Sequence, residues 1–519
     1  MKIVRGIIIV LVLGLAFLTW RYFDGRGGGE RSLMVFCAAG IKKPVAEIAE
    51  RYREEFGVEV ALQYGGTGTL LSQLKLAKRG DLFIAADSGA VADATRLGVI
   101  DEVVPLCVQY PVVAVAAGNP KGIGELEDLW REGVRVAVAN PEAASIGKST
   151  KAVFGERWGA FKEKVAVMKP TVTELAADLS LGAIDAAVVW NSTVPQFEGL
   201  EAVELVEFSA RKENVSAAVL RASEQVPEAL KFARYLVAPE RGGPVFRDKG
   251  FEVVEGDEWE ESQRMVLYSG GVNRPAIEKT LAEFAEREGA EVTTVFNGCG
   301  ILCASMQAME DTRNPQYPDA YFACDLCFVP PVAGVFPETV LLTETEIGIV
   351  VQKGNPKAVK TLADLAEEGM KVGLCNADQS TLGFMTQGML TSTVLEKAVR
   401  KNVVVEVPTA DFLINQMRVG ALDAAIVYRV NYDLQKEHLE FLKIEHEGAR
   451  AVQPFAVRAD SKKRQLSGRL LEFLKKNRER FEETGFTWVG DQPPIKSADI
   501  ELPPWLKETV EAGEGGAGN

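Results

Sequence analysis

At 519 residues, with 47% hydrophobic and 25% charged side chains, the chain is of ordinary globular composition and too long for one core, so two or more domains are expected. A formal net charge of −15 argues against a nucleic-acid surface or an anionic membrane surface, but not against a small anion held locally at a helix end. The two histidines, His438 and His446, leave almost nothing from which to build a Ser-His-Asp triad or a histidine-rich zinc site, so no enzyme activity and no cofactor is expected.

The chain opens with Lys2 and Arg5, an apolar run from Gly6 to Trp20, and then Arg21. A run of this length suits a signal peptide and falls short of the ~20 residues of a membrane span. No Ala-x-Ala cleavage site follows it, and Arg5, Arg21, Tyr22 and Phe23 can extend a short span. Residues 1–23 are therefore expected to be an uncleaved anchor in the cytoplasmic membrane, with a cleaved signal as the alternative. Either places the rest of the chain in the periplasm or another extracytoplasmic space. Glycine-rich residues 24–32 read as a linker.

From Leu33 onward, apolar runs of strand length alternate with stretches at helical spacing. Residues 33–38 read as a strand. Residues 45–56 read as a helix, with Val45, Ile48, Ala49, Tyr52 and Phe56 on one face, ending at Gly57. Further strands are expected at 58–64, 82–86, 112–117, 134–139 and 184–190, and helices at 70–77 and 173–181. Such alternation predicts an α/β fold whose parallel sheets are covered on both faces.

Tyr64-Gly65-Gly66-Thr67-Gly68-Thr69 stands between a strand and a helix. Turns of this kind aim free backbone N–H groups, together with the positive end of the helix dipole, at one point, and so form an anion site without lysine or arginine. The pattern returns as Phe296-Asn297-Gly298-Cys299-Gly300. The strand 81–87 returns as 319–325, Gly118-Asn119-Pro120 as Gly354-Asn355-Pro356, and the phrase 182–190 as 420–428. Lys43-Pro44 pairs with Arg274-Pro275, and Gly40 with Gly271. Landmarks in one order at near-constant spacing mark a domain duplication. The domains are expected at 33–259 and 264–495, and the polar, glycine-rich tail 496–519 is expected to be disordered.

The run Val35-Phe36-Cys37-Ala38-Ala39-Gly40, the glycine turn and Asp81-Leu82-Phe83-Ile84-Ala85-Ala86-Asp87 together resemble the molybdate/tungstate-binding substrate-binding proteins of ABC transporters. The resemblance implies two tandem type II periplasmic-binding-protein domains. Each would consist of two α/β lobes closing over a tetrahedral oxyanion held by neutral donors, for delivery to an ABC permease. Carried over by motif, the family's first serine donor falls at Gly40 and Gly271, so the hydroxyl is missing from both copies. The second falls at Thr67, beside Gly68, and at Cys299, beside Gly300. Backbone donors fall near Ile146 and Val172, and near Leu382 and Ala410. The tyrosine donor falls at Trp190 and Tyr428. A membrane-anchored oxyanion sensor of the same fold is a rival reading.

Asp87 and Asp325 are expected to cap helices or terminate strands rather than bind ligand. Five of the seven cysteines lie in the second half, and Cys299, Cys303, Cys324 and Cys327 have a spacing compatible with a four-thiolate metal site. Disulfides or inert buried thiols are the simpler expectation. A thiol- or metal-handling role for the second domain is the remaining alternative.

Overall fold

The computed structural model describes residues 32–76, 79–309 and 311–506. The expected anchor and all but the last residue of the expected linker lie outside these. Among the described residues no helix is long and apolar enough to cross a membrane. The chain divides into two compact units, Met1–Trp259 and Glu260–Asn519. The division falls inside the acidic stretch between Gly256 and Gln263. Trp259 packs edge-on to Tyr235 of the first unit, at 5.0 Å between ring centroids.

In the first unit the strands are β1 (Ser32–Ala38), β2 (Glu59–Gly65), β3 (Leu82–Ala85), β4 (Ile100–Gln109), β5 (Pro111–Ala116), β6 (Val136–Ala139), β7 (Val167–Lys169), β8 (Ala186–Trp190), β9 (Leu200–Val203), β10 (Glu213–Leu220) and β11 (Glu252–Val253). They form two sheets, β11-β4-β10-β3-β1-β2 and β7-β6-β8-β5-β9, one per lobe. All four side chains of β3 are buried, because this strand is covered on both faces. Leu82 and Ile84 enter one core with Val35 and Cys37, while Phe83 and Ala85 enter another with Phe36 and Leu70. Each such fully buried aliphatic or aromatic side chain contributes about 1.5–3 kcal/mol.

The sheets are mixed, which corrects the expectation of purely parallel sheets. β1 pairs in parallel with β2 and β3, but β10 runs antiparallel to both β3 and β4, and β5 antiparallel to β8. The chain crosses from one lobe to the other at β4–β5 and returns at β9–β10. The crossing strands therefore run against the βαβ direction of the rest.

The second unit repeats the plan with β12 (Arg264–Gly270), β13 (Glu291–Asn297), β14 (Ala320–Phe322), β15 (Glu338–Gln352), β16 (Val372–Cys375), β17 (Val403–Val407), β18 (Ala424–Tyr428), β19 (Leu439–Lys443), β20 (Arg450–Val457), β21 (Thr487–Trp488) and β22 (Ile495–Lys496). One difference has a covalent cause. The crossing path is a single strand, β15, in the second unit and is cut at Tyr110 in the first. Pro111 pairs with Trp190 where Ile347 pairs with Tyr428. The Ile347 N–H donates to the Ala449 carbonyl at 2.8 Å, whereas proline has no N–H to give. The backbone of Tyr110 turns instead to Asn191, its N–H donating to Oδ1 at 2.9 Å.

The repeat register also differs from the sequence expectation by one residue at the start of each unit. β1 and β12 both have seven residues, and each runs directly into a 3-10 turn, Ala39–Ile41 and Gly271–Asn273. The following helices, α1 (Lys42–Phe56) and α2 (Arg274–Glu288), both end on a left-handed glycine, Gly57 and Gly289. Gly40 therefore corresponds to Val272, not Gly271, and Lys43 rather than Pro44 corresponds to Pro275. The shared Gly and Pro letters had pulled the alignment one place off the structural register. The tail expectation is corrected as well. Lys496 pairs with Glu338 in the sheet, and the Leu506 side chain is buried, so residues 496–506 belong to the second unit.

Candidate functional site

In each unit a small, partly open cleft of about 20 Å³ lies between the two lobes, on the scale of one or two waters. Such a space is closer in size to a single small ion than to a sugar or an amino acid.

The first cleft is built from helix ends. The helices Thr67–Leu74, Ser145–Phe154 and Val172–Ser180 all begin at it, and the turn Ala39–Ile41 closes it from the side of β1. The first-turn amides of a helix have no intrahelical acceptor. Among the described residues no protein acceptor is found for the N–H groups of Gly40, Thr67, Ile146 or Val172. All four residues line the cleft, as do the Thr67 side chain, which is 3% exposed, and Trp190, which is 2% exposed. Among the described residues no charged side chain lines it. The positive field comes from three helix ends, each equivalent to about half a charge. Neutral donors aimed at one point by three dipoles can hold an anion in place of its hydration shell.

Gly68, expected as a ligand donor, is used differently. Its N–H donates to the Ala143 carbonyl of the other lobe at 3.0 Å, and the Thr69 N–H to the same oxygen at 3.3 Å. A Cβ on Gly68 would lie 2.4 Å from the Glu142 carbonyl oxygen, and one on Gly66 would lie 2.3 Å from that of Ala143. These two glycines are present because the lobes meet at backbone contact there. Gly298 and Gly300 do the same in the second unit, with a Cβ at 2.0 Å from the Gln379 oxygen and 2.1 Å from the Asp378 oxygen, respectively. Asp87 caps the helix Ser88–Arg96 through the Ala90 N–H at 2.7 Å and also accepts the Ser145 hydroxyl from across the cleft.

The second cleft keeps the plan and changes the chemistry. Val272, Ala410 and Tyr428 line it, and so does Gly271; Cys299, Gly300 and Leu382 do not. Cys299 is wholly buried behind the wall, where its Sγ accepts the Cys324 N–H at 3.0 Å. Cys324 takes the place of Ala86, and its sulfur fills the space beside Gly270, where a Cβ would lie 2.1 Å from Sγ. The first unit has alanine at both places, Ala38 and Ala86. The hydrogen bond with Cys299, reinforced by burial, holds the Cys324 thiol well above its ordinary range. All seven cysteines are free and buried, and among the described residues no three His, Cys, Asp or Glu side chains are grouped to hold a metal. The four-thiolate arrangement is therefore not formed.

Two lining residues of the second cleft carry oxygens that the sequence reading missed. Asp411 follows Ala410 at the start of the helix Ala410–Arg418, and Asn431 donates its Nδ2 to Asp411 Oδ1 at 3.1 Å. Asp411 is exposed as a residue, but the loss of water around its carboxyl raises its pKa, against the opposing effects of Asn431 and Arg274. Ser145 and Thr171 in the first cleft were missed too. The recurrence of Pro170-Thr171 as Pro408-Thr409 before two helices was the available signal.

The model of the family described as bacterial extracellular solute-binding protein matches residues 33–252 and again 265–487. A binding protein of Haemophilus influenzae is 29% identical over 224 residues, covering 42% of this chain and 90% of that protein. The molybdate-binding protein ModA of Escherichia coli is 25% identical over 234 residues, covering 43% of this chain and 90% of that one. Among solved structures, the periplasmic molybdate-binding protein of Azotobacter vinelandii is similar at 16% identity and a TM-score of 0.38, covering 42% of this chain and 98% of that one. With two successive matches that together take in most of its length, and a two-lobed unit with an interlobe cleft under each, this chain belongs to the bacterial extracellular solute-binding proteins and carries the family's domain twice.

Proposed function

We propose that the first cleft captures one fully deprotonated tetrahedral oxyanion, molybdate or tungstate, outside the cytoplasm and presents it to an ABC permease. The protein binds its ligand and does not turn it over. The observation that carries this reading is that, among the described residues, four amides without a protein acceptor and the Thr67 hydroxyl meet at a small cleft with no charged side chain in its wall. An ion that only accepts hydrogen bonds suits a wall that offers donors. The molybdate-binding relatives support the choice of anion.

Titration calorimetry of the full chain with molybdate, tungstate and sulfate tests it. Trp190 is the tryptophan in this cleft, so binding should also change the tryptophan emission, and Trp190→Phe should remove that change. No heat and no emission change with either molybdate or tungstate overturns the reading.

A further inference from the structure

We propose that the second cleft is built for an oxyanion that keeps a proton at neutral pH, of the phosphate or arsenate type, and that it rejects molybdate, tungstate and sulfate. This rests on the reading that the clefts hold tetrahedral oxyanions, and it assigns the two copies different classes of ligand.

The argument starts from hydrogen-bond capacity. A carboxylate can only accept, so the contact between Asn431 and Asp411 fixes the amide orientation, with Nδ2 on the carboxylate and Oδ1 left over. Asn431 is 5% exposed, and among the described residues its Oδ1 has no partner. The Tyr428 hydroxyl, on a residue 4% exposed, is likewise buried without one among the described residues. Both residues line the cleft beside Asp411. The wall therefore offers a lone carbonyl oxygen, which needs a donor, and a carboxylate, which can accept a further one, together with a hydroxyl and the Ala410 amide, which can serve an acceptor.

A fully deprotonated dianion has acceptors only. Placed here it would lie near the Asp411 carboxylate, which also feels Arg274, and would leave Asn431 Oδ1 still unsatisfied. A tetrahedral anion carrying one hydroxyl reverses both costs, because its O–H donates to an oxygen of the wall while its other oxygens accept. The first cleft lacks this selectivity device. In the register of helix Val172–Ser180 against Ala410–Arg418, Thr173 stands where Asp411 does. In the register of β8 against β18, Thr193 stands where Asn431 does. Neither carries a charge, and neither lines the first cleft.

The thiols do not compete for this role. Cys299 and Cys324 are engaged with each other in the wall, and Cys303 faces the Tyr321 hydroxyl at 3.7 Å.

The test is calorimetry on the full chain, with inorganic phosphate added before and after saturation with molybdate. The expected result is one phosphate site per chain that survives molybdate saturation and leaves the Trp190 emission unchanged. Asp411→Asn and Asp411→Thr should each weaken phosphate about tenfold or more and should let sulfate or molybdate into the second cleft. Two variants of different shape guard against one that fails to fold, and the ligand-free melting of each reports folding. The inference is overturned if phosphate does not bind, if molybdate displaces it, or if both folded variants keep the parent's preference for phosphate over sulfate. If molybdate binds one cleft and phosphate none, only this inference falls. If no oxyanion binds either cleft, the proposed function falls first.

Discussion

Replacing Gly68 by alanine should separate ligand capture from folding. The residue lies in the first turn of helix Thr67–Leu74 and has no positive φ, so alanine strains nothing locally and has the higher helix propensity by about 1 kcal/mol. Its Cβ, however, would stand 2.4 Å from the Glu142 oxygen of the other lobe, where ordinary contact begins at 3.4 Å. The lobes must then part by about 1 Å, judged from that deficit, and the Gly68 and Thr69 bonds to Ala143, now 3.0 and 3.3 Å, stretch past hydrogen-bonding range. Those two bonds contribute about 1–3 kcal/mol together, and a ligand bond to the far-lobe amide of Ile146 or Val172 about 1.5–3 kcal/mol more. The loss reaches about 3 kcal/mol or more, at least about a hundredfold in Kd. Calorimetry with molybdate or tungstate, beside a ligand-free thermal melt, measures both halves of the claim. Affinity within threefold of the parent would refute the reasoning. Loss of cooperative melting would count against it too, because the clash lies between the lobes and not inside either core.

Thr67→Ala should weaken oxyanion binding in the first cleft by about 1–2 kcal/mol, the order of one hydrogen bond to a charged partner; an unchanged titration removes Thr67 from the site. Cutting between Trp259 and Glu260 should give two halves that each melt cooperatively, since Trp259 packs on Tyr235 and Phe56 while Glu260 pairs with Lys463. Aggregation of both halves would show that the units depend on each other. Burial pushes the Cys303 and Cys375 thiols from an ordinary 9.0 up to about 12. The folded chain keeps these protons where the unfolded chain would lose them, so this contribution to stability is complete below pH 9 and is lost as pH rises toward 12. The melting temperature should fall over that window, less steeply in a Cys303→Ala/Cys375→Ala variant, and equal slopes would count against the assignment.

The sequence alone was enough for what depends on local chemistry. Apolar runs bounded by glycine located β1, β3, β8 and their repeats, because a strand buried on both faces must be apolar throughout and a helix that ends on a left-handed residue favours glycine. The recurring glycine turn marked both clefts, and Gly40, Thr67, Ile146, Val172 and Trp190 do line the first one. β4 was missed because Asp101, Glu102 and Pro105 interrupt its pattern, although its buried side chains largely alternate.

Tertiary structure decided the rest, because it concerns pairs of residues that the sequence does not list together. Whether Gly68 serves the ligand or the facing lobe depends on Ala143 and Glu142, which only lobe closure brings near. Whether Gly271 or Val272 takes the place of Gly40 depends on the strand register, in which a shift of one residue exchanges the two faces. Cys299 kept its place in the repeat but turned into the wall to meet Cys324, and the cleft face passed to Asp411 and Asn431. A duplicated sequence fixes where a second cleft will be; the side chains that fold into it set what it can hold.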